Sequence, residues 1–422
     1  MMTRVIHPSG PLHATFRVPG SKSITNRALV CAALADGVST LRNASDSDDT
    51  ALMVNALNQL GVLVQRDGER MTVHGTGGVL HAPRFPIPVG NAGTTLRFLL
   101  SVAAIARGTV VLQGNDRMAE RPNEDLLHAL NSLGVGIRQM PGQAVFEIAG
   151  GTLRGGVAHV KGEKSSQFLS SLLLAVPYAE QPVEIALEGR LASESYVAMT
   201  LEVMRSFGVD VSGSVTQGLS IPAGLRYRPS DFMVEADASG ASYPMAAVAI
   251  AGGEVLVPGF RLRSLQGDAG FAAVLRLMGC EIVEKEEGVL ARRTAPLRGV
   301  SIDMNSMPDV VPTLAAVALF AEGPTSIRNV AHLRFKESDR LGALEEELSN
   351  LGADITCTDD GLDIRPTQLH GALLDTHDDH RLAMSFALVG LAVPGVTIGN
   401  PECVRKSFPR FWTEFDKATA DS

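Results

Sequence analysis

Seven cations stand in or beside short polar loops, several of which open long apolar segments: Lys22, Arg27, Arg121, Lys336, Arg340, Arg381 and Lys406. The segment openings read Ser21-Lys22-Ser23, Asn91-Ala92-Gly93-Thr94-Thr95, Lys164-Ser165-Ser166-Gln167, Asp237-Ala238-Ser239, Pro308-Asp309 and Asp378-Asp379-His380-Arg381. If the apolar segments are helices, each opening offers free backbone N–H groups and about half a positive charge. Capping explains Ser and Asp at such places. It does not explain Lys and Arg, which the helix dipole repels. A small anionic ligand does. Two carboxylates, Asp309 and Glu337, lie among the cations, and a carboxylate beside an anion site is equipped to move protons.

Each feature has a plainer reading when taken singly. Ser21, Ser23, Ser165 and Ser166 are good N-caps, Asp309 is an N-cap acid, and the Gly93 loop is a turn into a helix. Residues 336–340 could be a solvated charge run, and His380 a satisfied core histidine. These readings weaken because the features recur at the same point of a repeated unit.

The repeat is legible from the elements that must position these residues. Leu60-Gly61, Leu133-Gly134, Phe207-Gly208, Met278-Gly279 and Leu351-Gly352 each follow an amphipathic pattern and precede a short β-like run. Their glycines are 73, 74, 71 and 73 residues apart. Each glycine reads as the left-handed residue that ends a helix. A second helix series is apolar on nearly every face and therefore buried. It covers Ser23–Leu34, Thr94–Ala106, Ser166–Val176, Ala241–Ala251, Val311–Phe320 and His380–Val393. The unit is a β-rich segment, a buried helix, a strand and an amphipathic helix, an α/β pattern whose period of roughly 70 residues is too long for a solenoid. Three units per half suggest two domains, 21–226 and 1–20 plus 227–422. The sixth amphipathic helix falls near Phe411–Lys417, and Val5–Gly20 is expected to complete the unit left open at the C-terminus.

Composition bounds the partners. The chain has 422 residues, 45% of them hydrophobic, and a formal net charge of -9. An acidic body argues against nucleic acid, whose phosphates demand surplus Lys and Arg. The four cysteines, Cys31, Cys280, Cys357 and Cys403, show no metal-ligand or CxxC spacing, as in a reducing compartment. No apolar run reaches ~18 residues, and the N-terminus lacks a signal-peptide core. A cytoplasmic monomer with no membrane partner, no cofactor and no metal is expected.

Together the openings resemble those of the 5-enolpyruvylshikimate-3-phosphate synthases, enolpyruvyl transferases of bacterial length. The resemblance runs from about Val18 to Phe408. It rests on Pro19-Gly20-Ser21-Lys22-Ser23 with Asn26-Arg27, Gly90–Thr94 with Arg97, Asp116-Arg117-Met118 with Arg121-Pro122, and Ser165-Ser166-Gln167. Further along come Asp237-Ala238-Ser239, Pro308-Asp309, Lys336-Glu337-Ser338-Asp339-Arg340-Leu341, Asp379-His380-Arg381 and Lys406-Ser407-Phe408-Pro409. It implies a two-domain inside-out α/β barrel of six βαβαββ repeats, with buried helix starts facing an interdomain cleft. It implies transfer of the enolpyruvyl group of phosphoenolpyruvate to the 5-hydroxyl of shikimate 3-phosphate, through a tetrahedral intermediate, with release of phosphate.

The resemblance also implies roles. Asp309 is the candidate base, Glu337 the candidate for proton transfer at carbon, and Lys22 could share either task. Lys22, Ser23, Arg27, Ser165, Ser166, Ser193, Tyr196, Asp309, His332 and Lys336 would hold shikimate 3-phosphate. Arg121, Arg340, Arg381 and Lys406 would clamp phosphoenolpyruvate, with Asn91 and Gly93 in the loop its phosphate approaches and Gln167 between the substrates. Two positions depart from the family pattern: His332 stands where many members have Asn, and Phe98 where many bacterial members have Pro. The sister transferase acting on UDP-N-acetylglucosamine is the nearest alternative, but Gly114–Pro122 lacks the Cys typical of it. A non-catalytic anion-binding repeat protein would not need Asp309 and Glu337.

Overall fold

The computed structural model describes residues 2–420. Among the described residues strands and helices alternate in six rounds, five with a four-stranded sheet and the sixth with a three-stranded one. The chain divides into one unit of residues 20–234 and a second formed by residues up to Pro19 together with those from Glu235 onward.

Each unit is built around three mutually packed buried helices. In the 20–234 unit they are Lys22–Leu34, Gly93–Val102 and Gln167–Ala175. In the other they are Ala238–Ala251, Val311–Ala318 and His380–Val389. Small side chains allow the close approach. Ser101 and Ser171 meet at 2.6 Å, while Ser242, Thr313 and Ser385 form a hydroxyl chain at 3.1 and 3.4 Å. Such pairing satisfies polar groups that burial would otherwise leave costly. The sheets and amphipathic helices lie outside these triads, which makes the barrel inside-out.

In the 20–234 unit each triad helix has a single residue that escapes full burial, and it lies in the first turn: Ser23, Thr94 and Gln167. The sequence-derived spans agree with these helices to within a few residues, apart from the 3-10 turns that finish two of them. The five glycines that end the amphipathic helices all have positive φ, from 82° to 109°, as their reading as left-handed caps requires.

The N-terminal strands do not both complete the last unit. Thr3–Val5 pairs with Thr397–Gly399 of the sixth round, as expected, but Leu12–Thr15 lies parallel to Gly253–Pro258 of the fourth. In the reciprocal position, Asp231–Met233 lies parallel to Thr40–Arg42 of the first round. The strand before the first buried helix and the strand before the fourth have therefore exchanged sheets. This places residues 227–234 with the first unit, beyond the crossing expected near Arg226. Edge strands of three or four residues carry too little pattern to announce their partners.

Candidate active site

In the 20–234 unit, Ser21 caps the first helix. This brings Lys22 into its first turn, where the buried ammonium pairs with Asp49 at 3.0 Å. Asp49 comes from the start of the helix Asp48–Gln59, and its carbonyl accepts a hydrogen bond from Thr95 Oγ1 at 3.2 Å. The Lys22 and Gly93 helix starts are thereby tied together.

Arg27, fully buried, donates from Nε to Thr200 Oγ1 at 2.7 Å and from Nη1 to the Ser23 carbonyl at 2.9 Å. Its Nη2 donates to Ser170 Oγ and to the Tyr196 carbonyl at 3.3 and 3.2 Å. These bonds occupy four of the five guanidinium N–H groups. Its Cζ stands 5.1 Å from the centroid of the Phe98 ring. Phe98, the residue at the departing position, is thus a buried support for Arg27. Burial lowers the Arg27 pKa to about 10, so it stays charged at neutral pH.

The second and third helix starts share a network. Arg97 Nη1 donates to Gln167 Oε1 at 2.7 Å, and Gln167 Nε2 donates to Thr94 Oγ1 at 3.2 Å. Arg97 also bonds Asn123 and the Pro122 carbonyl. Arg121 donates to the carbonyl and side chain of Asn91 at 3.3 and 3.2 Å. Ser165 Oγ caps the Gln167 N–H, and Ser166 is buried beside it. Ser193 is held in a left-handed conformation, φ 56°, one residue before the helix Glu194–Ser206 on which Tyr196 sits.

In the other unit one guanidinium holds three carboxylates. Arg340 Nη1 binds Asp309 at 2.9 Å, Nη2 binds Glu337 at 2.9 Å, and Nε binds Asp379 at 2.8 Å. Arg381 Nη2 reaches the other oxygen of Asp309 at 2.6 Å. Asp379 caps its helix through the Arg381 N–H at 2.9 Å and accepts Ser338 Oγ at 3.2 Å. Burial pushes the Asp309 carboxyl up, but Arg381, Arg340 and Lys336 outweigh it and hold Asp309 well below the usual carboxylate range. Burial lowers the Arg340 pKa and its three carboxylates raise it further, so it stays firmly charged. His332 is pushed down to about 3 by burial, reinforced by Lys336 and Arg340. It is neutral at any working pH. Lys406 ends a turn, Pro401–Lys406, that packs on the helix His380–Val389. His380 is buried with Nδ1 3.5 Å from Asp379.

Within this unit the structure brings together Asp309, Glu337, Arg340 and Arg381, with Lys336 close enough to act on Asp309 electrostatically and Asp309 close enough to act on His332. Within the 20–234 unit it groups Lys22, Ser23, Arg27 and Tyr196, and separately Asn91 with Arg121. Sequence reasoning missed Asp49, whose place in an acidic first turn looks like an ordinary dipole complement. It also missed Asp268, which burial and Asp309 raise to about 7 while it accepts a hydrogen bond from Ser239. That bond gives the fourth helix start a partner at a buried carboxyl. Among the described residues one group, Glu346, Glu347 and His377, places three possible metal-ligand atoms within 4.8 Å; two of its members are already bonded to each other, with His377 Nε2 3.1 Å from Glu347.

Fold and site define a two-domain inside-out α/β barrel with cations and carboxylates gathered at its buried helix starts. The family model of EPSP synthase (3-phosphoshikimate 1-carboxyvinyltransferase) matches residues 6–415. A 3-phosphoshikimate 1-carboxyvinyltransferase of Methanoculleus marisnigri is 45% identical over 415 residues, covering 98% of both chains. One from Shewanella loihica is 44% identical over 97% of this chain and 98% of its own. The solved EPSP synthase of Acinetobacter baumannii superposes with a TM-score of 0.83 at 27% identity, covering 99% of this chain and 98% of that one. The chain belongs to the EPSP synthase family. It is an enzyme, a transferase of the shikimate pathway.

Proposed function

We propose that the cluster on Arg340 is the reaction centre for transfer of the enolpyruvyl group of phosphoenolpyruvate to the 5-hydroxyl of shikimate 3-phosphate. The observation that carries this is the gathering of Asp309, Glu337 and Asp379 on one buried guanidinium with Arg381 alongside. Such a site holds acids and cations in balance until an anionic substrate arrives.

The 5-hydroxyl oxygen adds to C2 of phosphoenolpyruvate while C3 takes a proton. The tetrahedral adduct then loses phosphate, and the new methyl group gives a proton back, leaving the enol ether. Asp309 is ionised at rest, the form needed to accept the hydroxyl proton. Its two cations also make it a weak base. When phosphoenolpyruvate engages Arg340 and Arg381, those cations turn to the incoming anion and Asp309 gains basicity as it becomes useful. Glu337, on the same guanidinium, is suited to the proton at C3. Lys22, ion-paired with Asp49, can share either transfer.

Shikimate 3-phosphate is assigned to Lys22, Ser23, Ser165, Ser166, Ser193, Tyr196, His332, Lys336 and the remaining N–H of Arg27. Phosphoenolpyruvate is assigned to Arg121, Arg340, Arg381 and Lys406 beside Asn91 and Gly93, with Gln167 touching both. Arg suits an anion clamp because its planar fork grips carboxylate or phosphate with two bonds. Among the described residues no helix is long and apolar enough to cross a membrane. A cytoplasmic monomer working without metal or cofactor completes the proposal.

The test is phosphate release from purified protein. Release that requires both substrates, and that falls at least a hundredfold in Lys22→Ala, is expected. Release no greater than in that variant would remove the proposal.

A further inference from the structure

The loop that delivers Asp379 runs along the helix Arg340–Ser349 and is fastened to it at two points. At one end Asp379 takes Arg340 Nε at 2.8 Å. At the other, Glu347 accepts the Asp375 N–H at 2.9 Å on Oε2 and faces His377 Nε2 at 3.1 Å with Oε1. Arg340 and Glu347 are seven residues apart, two turns on one face of the helix, and both are buried.

Between the two fastenings the backbone is held in an unfavoured shape. His377 and Asp378 are consecutive non-glycine residues in the left-handed region, at φ 49° and 54°. Residues in that region persist where their surroundings fix them. The fixing bonds include those of Glu347, the Asp379 N–H to the Thr376 carbonyl at 2.8 Å, the His377 N–H to Asp375 Oδ1 at 2.9 Å, and Asn400 Nδ2 to Asp378 Oδ1 at 2.9 Å. Of these, Glu347 alone ties the loop to the helix that carries Arg340.

We propose that Glu347 is a positioning residue: gripping Asp375 and His377, it fixes where Asp379 stands, and through Asp379 it sets the aim of Arg340 and Arg381. This rests on the reading of those two arginines as the phosphoenolpyruvate clamp. Glu347 does not touch substrate. Its loss lets the strained loop relax, Asp379 drifts, and the two guanidinium groups lose their register. Small misplacements of such groups cost large factors in rate.

The test is steady-state kinetics on full-length Glu347→Gln, with shikimate 3-phosphate binding measured separately by calorimetry. The KM for phosphoenolpyruvate should rise about tenfold and kcat should fall, while the Kd for shikimate 3-phosphate alone stays within about twofold. His377→Ala, which leaves the Glu347 carboxylate and its Asp375 bond, should raise the same KM about threefold and serves if Glu347→Gln does not fold. In a double variant with Arg381→Lys the two effects should combine to less than their product, because Arg381 belongs to the clamp that Glu347 aims. An unchanged phosphoenolpyruvate KM in the folded variants would overturn the proposal, as would equal losses for both substrates or effects that multiply. An inactive wild-type protein would instead fail the assigned reaction itself, and this proposal with it.

Discussion

A Cβ placed on Gly93 would stand 2.6 Å from Arg121 Nη2 and 2.8 Å from its Cζ. The obstruction is the far end of a flexible side chain, so the strain of Gly93→Ala falls on where Arg121 points and spares the backbone. Arg121 would lose its bonds to Asn91 and the aim at phosphoenolpyruvate proposed for it. The variant should fold with an unchanged melting temperature, raise the KM for phosphoenolpyruvate roughly tenfold, and leave that for shikimate 3-phosphate alone. Kinetics in both substrates check this.

Arg27 is a structural bolt, whatever it offers substrate. It joins the first buried helix to Ser170 of the third and to Thr200 and Tyr196 of the helix Glu194–Ser206. Arg27→Lys cannot reproduce that fork. It should cost at least ~2 kcal/mol, since charge-assisted bonds to buried partners are lost together. Chemical denaturation of the two proteins measures the difference.

His332 makes stability depend on pH in a defined window. Its folded pKa, about 3, lies below the ordinary 6.5. Between those values the unfolded chain binds a proton that the folded one refuses. Stability from this source is complete above pH 6.5 and is lost as the pH falls towards 3. His332→Asn should therefore flatten the acid side of the stability curve, by up to about 1.4 kcal/mol per pH unit. Denaturation midpoints taken from pH 7 down to 4.5 should fall more steeply for wild type than for the variant if His332 is responsible for the slope. Parallel curves would acquit it.

The helix starts were legible in the sequence because their physics is local. A glycine at φ 96° after Leu60, or a serine cap before Lys22, needs only its neighbours to be recognised. The buried helices were legible because an apolar segment has nowhere else to go. Partners distant in sequence were not. Nothing near Asp49 says that it receives Lys22, and nothing in Leu12–Thr15 says that it joins Gly253–Pro258. Arg27 and Arg340 read as bare cations awaiting an anion. In the fold Arg340 already holds three carboxylates, and only the fold could show that.

Asp309, poised between Arg340 and Arg381, is proposed to take the hydroxyl proton. Turnover of Asp309→Ala, measured as phosphate release with both substrates saturating, tests it most directly. A fall in kcat of about 10²–10⁴-fold is predicted, with shikimate 3-phosphate still bound. Turnover within a few-fold of wild type would contradict the account.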